Sequence, residues 1–402
     1  MSAAIGKLPN AANPSSEERD DNGDEVGDEV GDKVDDKVDD KVYVAPPLKL
    51  MWWRFRKHKL AMISGVLVLL LYLVAAFCEF VAPYDPEQVF IKYRLSSPTQ
   101  VRLMDAEGNL RWPFVYKTVQ GRDPETLRIL YQEDTKTRYP INLFTKGTPY
   151  KLWGLIDLQT HLFGLSVPHT EQGIFLMGAD RLGRDLFSRV AYGARVSMSI
   201  GLVGVFLSLV LGVLIGGISG YYGGRIDNII QRIIEFIRSI PTIPLWMALS
   251  AALPADWPVI AVYFGITIIL ALFSWTGLAR VVRGRFLALR EEDFVLAARL
   301  SGSSELRIIV LHMVPSFLSY IIANLTLSIP AVIISETGLS FIGLGLRAPA
   351  ISWGVLLQEA QNVRSIALAP WVFAPAFAVI LSVLAFNFLG DGLRDAADPY
   401  AR

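Results

Sequence analysis

Cysteine is almost absent. Cys78 is the only one in 402 residues, so the chain has no intramolecular disulfide and no multi-thiolate metal site. It lies in an apolar run, the setting of a buried structural thiol. Histidine is nearly as scarce: His58, His161, His169 and His312 are scattered, and no two stand at the helical spacing of a metal-ligand pair. No GxxxxGK[ST] loop occurs, which excludes a P-loop ATPase. No HExxH, Ser/Lys or Asp pair stands out in the apolar runs, so nothing points to intramembrane catalysis. Charged residues are few, at 19% against the roughly 25% of an ordinary soluble domain. What is abundant is apolar surface, 52% of residues, and this composition describes a membrane protein rather than two or three soluble domains.

The formal net charge of zero conceals two opposite parts. Residues 1–50 hold 13 acidic and 6 basic side chains; the remainder holds 32 basic and 25 acidic. Residues 23–42 read GDEV-GDEV-GDKV-DDKV-DDKV, a four-residue unit with one valine. One valine per unit cannot bury a core, so residues 1–48 are expected to be a disordered acidic tail, either merely solvated or a tether for a basic partner.

Residues 49–82 are expected to hold an amphipathic segment and the first transmembrane helix, about Leu60–Ala82, long enough to cross roughly 30 Å of hydrocarbon. Trp52 and Trp53 suit an interfacial belt. The preceding Arg54, Arg56, Lys57 and Lys59 place the N-terminus in the cytoplasm. Further spans are read at about Val196–Gly217, Asp227–Leu253, Pro258–Leu278, Ser316–Ile334 and Pro370–Leu389. The third contains Arg232, Glu235 and Arg238 at pairing distance along a helix, then Pro241 and Pro244, which delete backbone donors and bend it. Six spans put Arg280–Pro315, with six arginines, on the same side as the N-terminus, and the C-terminal tail with it. In the second span Gly204, Ser208, Gly212, Gly216 and Gly220 recur every four residues. Small residues at that spacing let another helix backbone approach closely.

Residues 83–194 differ: polar, Pro/Gly-punctuated and rich in aromatics. They are expected to form an extracytoplasmic insert, α/β or irregular, with short strands such as Arg111–Val119 and Arg128–Gln132. Asp180 and Asp185 are expected to cap an outer amphipathic helix ahead of the second span. Arg184, Arg189 and Arg195 would bind lipid phosphate or pair locally. Asn324, Ser328, Glu336 and Asn387 are polar residues in or near late spans, fitting either function or helix–helix hydrogen bonding.

The loop 280–315 is the most informative segment. Ala- and Leu-rich Phe294–Leu300 predicts a short helix, broken by Gly302, with a second starting near Glu305 behind Ser303 or Ser304. That second helix is expected to present Ile308, Ile309, Leu311 and His312 to a groove on another protein.

Ala297-Ala298-x-x-x-Gly302, followed thirteen residues later by Pro315, resembles the EAA loop of binding-protein-dependent ABC importer permeases. Leu296 stands where that family has Glu, His312 where it has Ile, and Val314 where it has Leu. The stretch from Met177 through Arg189 to Arg195 resembles LGTDxLGRDxxSRxxYGAR of the second permease subunit of dipeptide, oligopeptide and nickel importers. Met177 and Ala179 depart from its Leu and Thr. GYYGGRID at 220–227, SFIGLGL at 340–346 and GDGLRDAADP at 390–399 resemble later signatures in the same order. The insert resembles a long-loop subgroup, and the acidic tail has no counterpart.

The resemblance implies an all-α polytopic membrane protein, six transmembrane helices of the type I ABC importer permease fold. The core would be 195–390, with a cytoplasmic tail at 391–402, in the bacterial cytoplasmic membrane. It implies a non-catalytic translocation subunit for peptides or similar solutes; nickel, a peptide-like antibiotic, or an ion-coupled secondary transporter are the alternatives. Implied partners are a second homologous permease, two ATP-binding subunits and an extracytoplasmic solute-binding protein, with no nucleic acid. This chain would bind no cofactor; ATP and Mg would be used by the partners. Leu296, Ala297, Ala298, Gly302 and Pro315 would form the ATPase-coupling loop. Asp180, Gly183, Arg184, Asp185 and Arg189 would shape the outer gate or contact the binding protein.

Overall fold

The computed structural model describes residues 47–122, 124, 129–168, 171–254 and 256–397. The acidic repeat expected to be disordered lies outside these residues, as do His169 and the last residues of the GDGLRDAADP motif. By its contacts the chain divides into Met1–Leu50 and Met51–Arg402. Only the start of the first helix, α1 (Pro47–Lys57), is described in the former. The membrane helices and the sheet belong to the latter.

Among the described residues five helices are long and apolar enough to cross a membrane, or six if one bent pair is counted as a single span. They are α2 (Lys59–Ala76), α3 (Leu186–Tyr222), the pair α4 (Gly224–Ser239) and α5 (Thr242–Ala251), α6 (Val259–Leu289), then Leu318–Phe341 and Pro370–Ala397. The count is five, or the expected six with the bent pair as one span, and the bounds differ from those expected. α3 has 37 residues, about 55 Å at 1.5 Å per residue, so it projects well beyond the hydrocarbon. The expected separate amphipathic helix before the second span is part of α3 itself. α6 likewise runs eleven residues past Leu278 and carries Arg280, Arg283 and Arg285 on its last turns.

The pair α4–α5 bends by 80°. Ile240 precedes Pro241 and takes an extended conformation (φ −83°, ψ 128°), as the proline ring demands of its predecessor. Arg232 pairs with Glu235 at 3.0 Å, both well exposed.

The insert is antiparallel β-structure rather than α/β or irregular. Strands β1 (Arg102–Met104), β2 (Leu110–Arg122), β3 (Ile129–Leu152) and β4 (Ile156–Leu165) follow one another in sheet order as in sequence. β3 is long enough to pair with β2 by its first half and β4 by its second. The two segments predicted as short strands fall within or overlap β2 and β3. Beneath the sheet, Tyr84, Phe90, Tyr93, Val115, Tyr139, Ile174 and Phe175 form an aromatic core. The insert lies at one end of the helices, the sheet end; loop 290–317 lies at the other.

Candidate functional site

At the loop end, α7 (Asp293–Leu300) and a second helical segment, 305–316, form a helix–turn–helix. Gly302 closes α7 with φ +78°. The Gly302 amide donates to the Arg299 carbonyl and the Ser303 amide to the Ala298 carbonyl, both at 3.1 Å. This is the Schellman arrangement, with glycine where only a left-handed residue fits. Val295 and Ala298 point inward, whereas Leu296, Ala297 and Gly302 are exposed. Pro315 is also exposed, near the end of the second segment.

The orientation of that segment corrects the expectation. Ile308 and Ile309 are not presented to a partner. With Met313 they are buried on Tyr221, Leu278, Val282 and Phe286, because α3 and α6 overrun the bilayer and supply an apolar platform. Leu311 remains exposed, as does His312, and Phe294, Leu300, Leu306 and Val310 join them. Leu300 is 89% exposed at the tip. The outward pattern was present in the i, i+3/i+4 spacing; what the spacing lacked was which stripe faces the helices. A cleft of about 620 Å³ at this end is lined by Tyr221, Tyr222, Arg290, Leu296, Arg299 and Glu305 among others.

One residue here was not singled out from sequence. Arg283 grips Asp227 of the GYYGGRID segment through Nε and Nη2, each at 2.5 Å, and Ser219 also donates to Asp227. Three elements, α3, α4 and α6, meet there just behind the loop. The cluster of arginines in 280–315 was the signal, but nothing ranked Arg283 above its neighbours.

At the sheet end, Asp180 caps no helix. Its carboxylate accepts from the Leu182 and Arg184 amides at 2.8 Å, from Arg184 Nε at 2.7 Å and from Arg189 at 2.6 Å. Both arginines also reach Glu359, at 2.8 and 3.2 Å. Asp180 and Asp185 are fully buried and Arg189 nearly so. The arginines thus pair locally: Arg195 does the same with Glu79 at 2.5 Å and with the Ala75 and Ala76 carbonyls. Gly183 has φ +88°, and a Cβ there would run into the Phe90 carbonyl. Asp185 is the N-cap of α3, accepting from the Ser188 amide at 2.8 Å and its hydroxyl at 2.6 Å. Its other oxygen has no partner among the described residues, and burial pushes the carboxyl up to about 7. Asp180, Arg184, Arg189 and Glu359 form one largely buried ion-pair cluster, with Asp185 capping the helix beside it. Glu336, on the Leu318–Phe341 helix, is also fully buried and accepts from Ser197, Ser340 and Ser352.

The small-residue ladder of α3 faces α6. A Cβ on Gly212 would sit 2.9 Å from Leu278, one on Gly220 2.5 Å from the Phe286 side chain, and one on Gly216 would strike the Ala279 carbonyl. Ser208 donates to the Ala271 carbonyl at 3.4 Å, and Gly204 adjoins Val332 and Thr267. Between α3, α5, α6 and the Leu318–Phe341 helix opens a cleft of about 460 Å³. Its polar lining includes Ser274, Asn324, Ser328 and Ser335, with Trp246 and Leu270 as apolar wall. Asn387 lies outside it.

The described residues thus form a bundle of helices long and apolar enough to cross a membrane, with a helix–turn–helix at one end. Residues 212–402 match the family of binding-protein-dependent transport system inner membrane components, and residues 46–98 match the N-terminal transmembrane domain of oligopeptide transport permease C. The chain is 40% identical to the dipeptide transport system permease protein DppC of Bacillus subtilis over 56% of its length and 68% of the relative's. It is 38% identical to the oligopeptide transport system permease protein OppC of Haemophilus influenzae, over 59% and 74%. Against the glutathione transport system permease protein GsiD of Escherichia coli it is 34% identical over 89% and 91%. The chain belongs to the family of binding-protein-dependent ABC importer permeases and is a multi-pass membrane permease of the DppC/OppC type.

Proposed function

We propose that this chain is the second permease subunit of an ATP-driven importer of peptides or similarly small peptide-like solutes. It pairs with a homologous permease, rests on two ATP-binding subunits and receives solute from an extracytoplasmic binding protein. The chain itself hydrolyses nothing and binds no cofactor; ATP and Mg belong to the ATPase partners. Basic residues ahead of α2 and along the loop end support a topology with both termini and the loop in the cytoplasm of a bacterial cell and the β-sheet insert outside.

The observation that carries this reading is the loop's two-sided build. One face is anchored on α3 and α6; the other offers Leu296, Leu300, Leu306 and Leu311 without cover. Such a knob seats in an apolar groove of a partner and passes its displacement to the helices it rests on. Ala297, Ala298 and Gly302 keep the turn slim enough to enter, and Pro315 ends the segment where the next span begins. Solute would pass along the cleft lined by Ser274, Asn324 and Ser328. The names of the relatives support peptides as the solute class.

The test is uptake of a radiolabelled dipeptide and tripeptide series by proteoliposomes holding the co-expressed complex. Uptake should require ATP and the binding protein and survive collapse of the proton gradient. Uptake driven by the gradient without ATP overturns the reading.

A further inference from the structure

The turn between β3 and β4 carries an apolar tip. Leu152-Trp153-Gly154-Leu155-Ile156 has no charge, and Lys151 and Asp157 face each other in register directly behind it, 3.8 Å apart. Leu155 is 80% exposed, with Trp153 and Ile156 half exposed. The β1–β2 turn, by contrast, is Asp105-Ala106-Glu107-Gly108-Asn109, and Asp105 accepts from the Glu107 and Asn109 amides.

The tip has a defined level. The Trp153 indole N–H donates to the Ala76 carbonyl at 2.7 Å, and its ring lies 5.4 Å from that of Phe77. Ala76 is the last residue of the apolar helix α2. Arg195 donates to the same carbonyl, and the charge-free run of α3 begins at the next residue, Val196. A charged guanidinium with a carboxylate partner on one side and hydrocarbon-length helix on the other marks the bilayer boundary. Trp153 therefore stands at that boundary, the level favoured by aromatic rings with one polar edge. It does so with φ +53°, a conformation a bulky residue adopts only when its surroundings hold it there.

We propose that residues 152–156 are a lipid-inserted anchor that pins the insert to the bilayer leaflet on the sheet side. At about 3.4 Å per residue, the apolar tip extends about 7 Å beyond the Lys151–Asp157 collar, which matches the 5–10 Å depth of interfacial segments. The collar then lies among the headgroups, and Leu155 and Ile156 lie among the upper acyl carbons. Pinned in this way, the sheet keeps a fixed height and tilt above the helix ends.

Site-directed spin labels test this on the full-length chain, reconstituted with its co-purifying subunits in phosphatidylethanolamine/phosphatidylglycerol nanodiscs. Labels go on Leu155→Cys and, independently, Ile156→Cys, in a Cys78→Ser background. Leu70→Cys on the exposed face of α2 is the lipid reference and Glu107→Cys the water reference. The expected result is an oxygen-to-nickel-chelate accessibility ratio at 155 and 156 severalfold above that at 107 and on the side of 70. Ratios equal to that at 107 overturn the proposal. Labels closed to both reagents also overturn it, and assign the tip to a protein partner instead.

Discussion

Arg283 holds both carboxylate oxygens of Asp227 at 2.5 Å, tying the end of α6 to the first turn of α4 directly behind the helix–turn–helix. Asp227 is 6% exposed, so its charge depends on this partner. Ser219 of α3 donates to the same carboxylate, so the pair joins three helices behind the loop.

Arg283→Gln strands the Asp227 carboxylate. Loss of a charged hydrogen-bond partner at a largely buried site costs about 1–3 kcal/mol. The thermal midpoint in detergent should fall, and Asp227→Asn on top of it should restore part of the loss. A double variant that loses the sum of the two single losses would show that the residues do not interact.

Gly302→Asp should abolish ATP-driven uptake while the chain still inserts in the membrane. Among the described residues no atom lies within 4 Å of a Cβ at this position, so the defect lies in docking and in the φ +78° backbone. Membrane fractionation and vesicle uptake measure the two separately. Full uptake by this variant would remove the coupling role from the loop.

Gly216→Leu should prevent assembly of the helices, because its side chain must displace the Ala279 backbone. Gly284→Ala on the facing helix meets nothing within 4 Å and should leave yield and uptake unchanged. Size-exclusion profiles of the two variants give the comparison.

Asp185 makes stability depend on pH in one direction. Burial raises its carboxyl to about 7, whereas the unfolded carboxyl titrates near 3.9, so the folded chain holds an extra proton between these values. Its contribution therefore falls as pH rises from about 4 to about 7 and stays low above that. Asp185→Asn keeps an N-cap of equal quality and should flatten this slope, gaining most over the parent at about pH 8. An unchanged slope in thermal unfolding across that range counts against the buried cap as its source.

Ser328→Leu projects into the 460 Å³ cleft from the Leu318–Phe341 helix. It should lower uptake of larger peptides before smaller ones and leave ATP hydrolysis by the complex intact. Equal loss for all solute sizes would place the path elsewhere.

By itself the sequence determined what depends on neighbours along the chain. Apolar run length set the span count, because a helix must satisfy its own backbone across lipid. The four-residue recurrence from Gly204 to Gly220 marked one face of α3, and Gly302 marked the turn, since both follow from local geometry. Tertiary structure alone decided which groups meet. Arg184 and Glu359 are 175 residues apart and Arg283 and Asp227 are 56 apart, and no local pattern prefers these partners among many arginines and acids. It also turned Ile308 and Ile309 inward. The helices beneath them extend past the membrane, and an apolar stripe buries itself on whatever apolar surface is nearest. The insert became a four-stranded sheet for the same reason: strand pairing is a contact between distant segments, and alternation along one strand does not name its partner.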